Sequence, residues 1–383
     1  AKEFPASPLA PDAALRAGFC LVQLKQYDEA AKALEPLPQA APRLADQALF
    51  WLGKARLGLA RAADPAKPDE RDAKFKAAVE TLQKAAEAAK GLEATDPDAK
   101  LRRQEILLEM ADAMQAAGRF KDAPPVYEAL WNEGALPARR EEVLQRLGCA
   151  LGAAGELDRS DQRCNEFRQT FPQSTLAPAV MARLADNAYA RAAALAADPN
   201  KADDRKQKLA DAAARYKEVA EKFPEFDRAA HARLGQGVCL AQLGELEPAA
   251  AALEAIPAPD RNGELAVAAY LLADCLIRLA PAKADDALAE NIVREKLTAA
   301  AALLDGFAGG NPKAPDAPLA LLKLGHCLTR LGATLADPNE RNQTLGRARE
   351  TFEKLQKEYP QAAAAAHARL ETARVKALQG DKG

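Results

Sequence analysis

A short phrase recurs along the chain and sets a register: an aromatic residue or Asn, then Pro, then Gly or Ala thirteen residues after the Pro. The phrase stands at Phe4-Pro5, Phe171-Pro172, Phe223-Pro224, Asn311-Pro312 and Tyr359-Pro360, and the small residues are Gly18, Ala185, Gly237, Gly325 and Ala373. A constant offset at widely spaced sites indicates an internal repeat. We expect the Pro to begin a helix, where its missing N–H costs nothing, and the small residue to admit a neighbouring helix. Hydrophobic residues make up 49% of the chain but aromatic residues only 5%, so the apolar content is mostly Ala and Leu, which favours helices.

A glycine seven residues beyond a small position is the second mark of the repeat. These glycines are Gly118, Gly155, Gly244, Gly332 and Gly380. Glycine ends many helices because it adopts the left-handed conformation without strain. A second apolar helix follows, as in residues 247–256. Each unit is therefore predicted to be a helical hairpin.

This pattern resembles the tetratricopeptide repeat family, which has a small residue at position 8, Gly near 15, Ala near 20 and an aromatic residue or Leu near 24. With Ala111 as position 8, Gly118, Ala123 and Tyr127 fall at positions 15, 20 and 24. The resemblance implies an all-α fold: a right-handed α-solenoid of about eight hairpins plus a C-terminal capping helix, forming a single domain over residues 1–383. The expected hairpins are 6–37, 43–90, 97–133, 138–171, 173–223, 225–256, 262–307 and 313–359, with the capping helix at 361–379.

Four hairpins are longer than the family pattern. Positions 8 and 20 are normally 12 residues apart, whereas Gly53 and Ala78 are 25 apart and Gly325 and Ala348 are 23 apart. The extra residues form loops or helix extensions, and three of them carry an Asp-Pro pair that suits a turn and a new helix start. We expect residues 60–72, 196–206, 280–290 and 333–342 to project from one edge of the solenoid.

Four of the six cysteines, Cys20, Cys239, Cys275 and Cys327, share repeat position 10. The favoured interpretation is that they are small buried hydrophobes. A disulfide between Cys149 and Cys164, on the two helices of one hairpin, is the alternative.

Asp112, Asp186 and Asp274 share position 9. They are interpreted as solvated charges on a mixed surface; an acidic stripe that selects basic partner segments is the alternative. The sequence contains no phosphate-binding loop and no catalytic or metal-ligand motif, so neither a cofactor nor a metal is expected. Tryptophans 51 and 131 are expected to fill packing gaps.

The family resemblance also implies where a partner would bind, because the first helix of each hairpin lines the concave face. Position 5 of that helix is mostly apolar here, and position 12 adds further apolar residues. The predicted partner-binding groove centres on Phe50, Leu108, Tyr189, Leu234 and Tyr270. The alternative is that these side chains pack within the solenoid wall.

Two classes of function remain. The first is a non-enzymatic adaptor that binds a protein partner in its groove. The second is a structural subunit of a homo-oligomer or a large envelope complex, assembling through the long hairpins and the N-terminal end, where we expect an upstream hairpin or another chain to cover the first helix. Net charge is −2, which gives no footprint for nucleic acid, and no apolar run is long enough for membrane insertion.

The wording of the repeats is also similar to that of bacterial envelope proteins, namely outer-membrane assembly lipoproteins and Tol–Pal accessory proteins. This likeness implies the periplasm or cell envelope. Unpaired cysteines do not favour an oxidising compartment, so the cytoplasm is the alternative location.

Overall fold

The computed structural model describes residues 7–283 and 286–380 and is all-helical over those residues, with no β-strand among them. This confirms the predicted all-α class. The expected Phe4-Pro5 phrase and part of the expected 280–290 loop lie outside the described residues. The chain divides into two compact units, Ala1–Asn187 and Ala188–Gly383.

Among the described residues, ten α-helices begin within the first unit. They are α1 Ala10–Gln23, α2 Tyr27–Leu34, α3 Leu37–Ala40, α4 Ala45–Arg61, α5 Pro68–Leu92, α6 Ala99–Ala116, α7 Ala123–Asn132, α8 Arg140–Ala153, α9 Leu157–Thr170 and α10 Ala177–Ala194. Eight begin within the second. They are α11 Ala202–Lys222, α12 Ala229–Leu243, α13 Leu246–Glu254, α14 Val267–Leu279, α15 Ala287–Gly310, α16 Ala317–Thr334, α17 Pro338–Glu358 and α18 Ala363–Leu378.

Within each unit the helices pack in chain order. The two helices of a hairpin contact one another, and the second helix also contacts the first helix of the next hairpin, as α5 contacts α4 and α6, and α15 contacts α14 and α16. Each core therefore follows the helices as a row of buried aliphatic side chains, which is the arrangement of a helical-repeat protein.

At the small residue of position 8 the two helices of a hairpin are in close contact, as the register predicted. A Cβ at Gly18 would lie 2.4 Å from the Leu34 side chain, and a Cβ at Gly325 would lie 2.3 Å from the Phe352 ring. Glycines 53, 148 and 237 have the same relation to Leu82, Cys164 and Leu253. A glycine here lets the first helix touch the side chain at position 24 of the second.

The prediction that the recurring Pro begins a helix is wrong. Phe171, Phe223, Asn311 and Tyr359 are the residues that end a helix, and the next helix starts three to five residues after the Pro, as at Ala177 and Ala363. The residue before Pro is pushed out of the helical region, and the Pro has no N–H to continue the ladder. The phrase therefore terminates the second helix of a hairpin.

Gly118, Gly155, Gly244 and Gly380 have positive φ angles at or just beyond a helix end, as predicted, but Gly332 does not. Gly332 lies inside α16, where a Cβ would meet the Leu345 side chain at 2.9 Å. Its hairpin is a long one, so α16 continues past the usual turn and the glycine instead makes room for the extended second helix.

The extra residues of the long hairpins mainly lengthen the second helix rather than form loops. Helices α5, α11, α15 and α17 have 25, 21, 24 and 21 residues, against 8 to 14 in α2, α7, α9 and α13. One of the three Asp-Pro pairs starts a long helix directly: Pro338 is the first residue of α17, and the Asp337 carboxylate accepts hydrogen bonds from the backbone N–H groups of Asn339 and Glu340 at 2.8 and 2.9 Å. The Asp64-Pro65 pair lies in the turn before α5, and Asp198-Pro199 opens a short 3-10 helix before α11.

Candidate functional site

A recurring contact joins the first helices of consecutive hairpins. The side chain at repeat position 9 faces the side chain at position 6 of the next hairpin, and we call each such contact a rung. The first rung is aromatic: the rings of Phe19 on α1 and Trp51 on α4 meet edge to face, with centroids 4.7 Å apart. The Phe50 ring also packs against Trp51, with the two ring centroids 5.0 Å apart. This geometry is the one aromatic pairs favour.

This aromatic cluster, defined as Phe19, Phe50 and Trp51, is only partly covered. Phe19 is 38% exposed, and the other two rings are half-buried. The Lys54 ammonium lies 5.4 Å from the Phe50 ring centroid and 5.7 Å from that of Trp51. The cluster thus offers ring surface to solvent beside a cation, while its rings hold one another in place.

The next rungs of the first unit are ionic. Lys54 reaches Glu109 at 3.2 Å, and Asp112 pairs with Arg146. Asp112 also accepts a hydrogen bond from the buried Tyr127 hydroxyl, whose pKa burial raises. The interpretation of Asp112 as a freely solvated charge is therefore wrong, since its charge is compensated by the next repeat.

The second unit has the same kind of rung. Asp274 accepts a hydrogen bond from the Lys323 ammonium at 2.5 Å, and that ammonium lies 4.6 Å from the centroid of the Tyr270 ring. Burial opposes the charge on Lys323, but the hydrogen bond to Asp274 holds its pKa above the ordinary value. Asp186 lies 3.8 Å from Arg183. Paired carboxylates of this kind do not make a free acidic stripe.

The predicted groove residues fall into two groups by exposure. Leu108 is fully buried, and Tyr270 is 9% exposed with its ring 5.7 Å from Phe307, so these two side chains belong to the wall. Phe50, Tyr189 and Leu234 are half-buried and present part of their surface. The Tyr189 hydroxyl accepts a hydrogen bond from Gln242 on α12 at 3.3 Å.

Sequence reasoning missed the Phe19 and Trp51 pair. Phe19 was not among the predicted groove residues, and Trp51 was expected to fill a packing gap. The signal was present, because the two residues occupy positions 9 and 6 of consecutive repeats. It becomes visible only once the first helices are seen side by side. The other tryptophan, Trp131, has the Arg140 guanidinium carbon 3.7 Å from its ring centroid, in line with a packing role.

The cysteines are free thiols. Cys164, Cys239, Cys275 and Cys327 are buried, and burial raises the pKa of Cys239 to about 12. Cys20, on α1, is exposed, so its expected burial is wrong. Cys149 and Cys164 are not joined in a disulfide.

Over residues 7–283 and 286–380, no three His, Cys, Asp or Glu side chains gather as metal ligands would. Within the same ranges no helix combines the length and the hydropathy needed to cross a bilayer.

Comparison with known proteins supports the repeat type. Residues 12–42, which include most of α1 and all of α2 and α3, match the family model of the tetratricopeptide repeat. No curated protein sequence matches the chain significantly.

Solved structures of similar shape include a tetratricopeptide repeat protein from Parabacteroides merdae, 12% identical with a TM-score of 0.49, where the match covers 83% of this chain and 98% of that one. The C-terminal part of a TPR repeat-containing protein from Cytophaga hutchinsonii is 13% identical, with a TM-score of 0.45 and coverage of 80% and 99%. The apo form of RapI is 11% identical, with a TM-score of 0.45 and coverage of 97% and 99%. Likenesses this distant carry no argument about function, and none of them bears on the expected envelope location, which stays a prediction.

Proposed function

We propose that this protein is a non-enzymatic protein–protein interaction scaffold that binds a segment of a partner protein along the first helices of its hairpins. The observation that carries the proposal is the aromatic cluster of Phe19, Phe50 and Trp51. The next two rungs are ion pairs, whereas the contact at the aromatic cluster is made by rings that are partly exposed to solvent.

Two features of the cluster suit binding. Aromatic side chains supply large contact areas with little conformational entropy to lose, and here the rings already pack edge to face, so they are ordered before a partner arrives. In each of the next two rungs a positive side chain is paired with a negative one. We therefore expect an apolar side chain of the partner to be the anchor. In the second unit, the half-buried Tyr189 and Leu234 offer a separate apolar surface.

The test begins with the full chain used to recover partners from its native source by crosslinking and mass spectrometry. The affinity of each identified partner is then measured by titration calorimetry for Phe19→Ala, Phe50→Ala and Phe120→Ala. Phe120 is the matched control, because it is 44% exposed but lies in the turn between α6 and α7, away from the cluster.

We expect the two cluster variants to weaken binding about tenfold or more, which is the range of an interface hot spot. Phe120→Ala should bind like the unmodified chain. Equal affinities for all four proteins would move the site away from the cluster. Circular dichroism on each variant checks that helicity is intact.

The second candidate function is a structural subunit that self-associates through α1. Position 10 of the repeat is 0–1% exposed in eight repeats, at Ala55, Ala113, Ala150, Asn187, Cys239, Cys275, Cys327 and Val375. In α1 the same position is the exposed Cys20, on a helix face that also carries Leu9 and Leu24, 70% and 68% exposed. Sedimentation velocity at increasing concentration should show association that Leu24→Asp abolishes; a monomer at every concentration would contradict this candidate.

A further inference from the structure

The rungs of the second unit carry more cations than carboxylates. Asp274 of α14 is paired with two cations at once, the Lys323 ammonium of α16 at 2.5 Å and the Arg278 guanidinium at 3.8 Å. Glu371 of α18 lies 3.7 Å from a further cation, Arg374. Two carboxylates are thus paired with three cations along the helices α14, α16 and α18.

Arg330 of α16 is a fourth cation of this surface. Its guanidinium donates a hydrogen bond to the Pro281 carbonyl at 2.8 Å, which orients the side chain without neutralising its charge. Within residues 7–283 and 286–380, no carboxylate forms an ion pair with Arg330. We call the six charged residues of these three helices the charged row: Asp274, Arg278, Lys323, Arg330, Glu371 and Arg374. The row has four cations against two carboxylates.

A cleft of about 360 Å³ opens between α16 and α18 at the end of this row. Both Arg330 and Arg374 line it, together with Glu371 and the His326 ring. Burial lowers the pKa of His326, so this ring adds no charge at neutral pH. Glu371 is the ion-pair partner of Arg374 alone. The cleft therefore has one guanidinium, that of Arg330, whose charge is not compensated.

Exposed leucines lie on the same sides of α16 and α18 as these arginines. Leu319 on α16 is 43% exposed and Leu370 on α18 is 69% exposed. Leu319 precedes Arg330 by eleven residues and Leu370 precedes Arg374 by four, and both separations return to the same side of an α-helix. Each helix therefore presents an apolar side chain nearer its N-terminus and a cation nearer its C-terminus.

We propose that this surface binds an amphipathic helix of a partner protein, with aliphatic side chains on Leu319 and Leu370 and acidic side chains on the charged row. The excess of cations in the row favours acidic residues by charge complementarity. Aliphatic residues are favoured because the two exposed leucines give the surface an apolar edge.

The spacing of the first helices favours a helix over an extended segment. Helices that pack against each other lie about 10 Å apart, which is about seven residues of α-helix or about three of extended chain. Seven residues return to the same side of a helix, whereas residues three apart point to opposite faces of a strand. Acidic residues one heptad apart would therefore meet successive first helices. The surface lies in the second unit and shares no residue with the aromatic cluster, so the two proposals can fail separately.

The probes are three synthetic helical peptides, each about three heptads long, with identical leucines and with Glu, Gln or Lys at the flanking positions. Binding to the full chain is measured by fluorescence anisotropy at low and high salt. We expect one Glu peptide to bind per chain, the Gln peptide to bind about tenfold more weakly, and the Lys peptide not to bind. Salt should weaken binding of the Glu peptide. Absence of saturable binding of the Glu peptide, or equal binding of the Glu and Gln peptides, would overturn the proposal.

Two variants and two controls locate the site. Arg330→Gln should weaken binding of the Glu peptide about threefold and leave the Gln peptide unchanged, whereas Leu370→Ser should weaken both. Lys376→Gln is the matched control, because it removes an exposed cation of α18 that lies two residues, or about 200° around the helix, from Arg374. It should bind like the unmodified chain, and so should Phe19→Ala.

Circular dichroism on each variant checks that helicity is intact. An equal loss in Arg330→Gln and Lys376→Gln would show that only the net charge of the chain matters. A loss in Phe19→Ala with normal binding by Arg330→Gln would place the peptide on the aromatic cluster. Either result would overturn the assignment of the site.

Discussion

Two glycines of one hairpin should respond to the same substitution with opposite signs. Gly325 lies in α16, where a Cβ would stand 2.3, 2.5 and 2.8 Å from three atoms of the Phe352 ring. Gly346 lies in α17, where a Cβ would meet nothing within 4 Å. Phe352 is fully buried, so its ring has no free space to move into. Replacing each glycine by alanine therefore tests the close approach of the two helices.

The magnitudes follow from two opposing effects. Alanine in place of glycine stabilises a helix interior by about 1 kcal/mol. At Gly346 nothing opposes this gain, so Gly346→Ala should stabilise the fold by about that amount. At Gly325 the added methyl overpacks the core, which costs about 1–3 kcal/mol. We expect the upper end because the ring is buried, so Gly325→Ala should destabilise the fold by about 2 kcal/mol.

The assay is thermal unfolding followed by circular dichroism at 222 nm. For a unit of this size the two changes correspond to shifts of about 2–4 °C per kcal/mol. The Tm should fall by about 4–8 °C in Gly325→Ala and rise by about 2–4 °C in Gly346→Ala. Adding Phe352→Leu to Gly325→Ala should restore part of the loss, because the clash partner becomes smaller. A rise in Tm for Gly325→Ala like that for Gly346→Ala would refute the close contact at position 8.

Three further predictions concern buried charge, thiols and pH. Arg102→Met should destabilise the first unit by about 3 kcal/mol in urea unfolding, because it leaves the fully buried Asp46 carboxylate, 2.7 Å from the Arg102 Nε atom, without a partner; a loss below about 1 kcal/mol would contradict this. In a native thiol assay at about pH 8, Cys20 should react at once, while Cys239, buried with its pKa raised to about 12, should react only after denaturation. A hydrogen bond from the Arg159 guanidinium on α9 holds the pKa of Glu128 below its ordinary 4.5, so the ionised carboxylate stabilises the fold above that pH and this contribution is lost as the pH falls below it. Between about pH 5 and about pH 3, Glu128→Gln should therefore lose less free energy of unfolding than the unmodified chain. Equal losses in the two proteins would contradict this prediction.

Much of the fold could be predicted from the spacing of residues within single hairpins. The distance from Gly18 to Leu34, or from Gly237 to Leu253, is a distance along one hairpin, and the structure places both pairs in contact. A sequence register is informative here because the two helices are joined by a short turn. Where a hairpin is longer, the same reasoning failed: Gly332 occupies the expected helix end but lies inside α16, because the extension continues the helix.

The site was harder to predict because it depends on contacts between hairpins. Each rung joins two residues that are far apart in sequence, such as Lys54 and Glu109. The packing of consecutive first helices decides which repeat positions come into contact. The burial of a side chain also depends on how consecutive hairpins pack. Phe50 and Leu108 share position 5, yet Phe50 is half-buried and Leu108 fully buried. Position within the repeat gives the direction of a side chain, whereas its exposure depends on the size of its neighbours.

The central claim, that the aromatic cluster on the first helices binds a partner protein, is tested most directly by photo-crosslinking. A benzoylphenylalanine is introduced at Phe19, 38% exposed within the cluster, or at Phe120, 44% exposed outside it, and the chain is irradiated in its native source. The account predicts a discrete covalent adduct with a partner protein from position 19 and none from position 120. No adduct from position 19, or the same adduct from both positions, would contradict it.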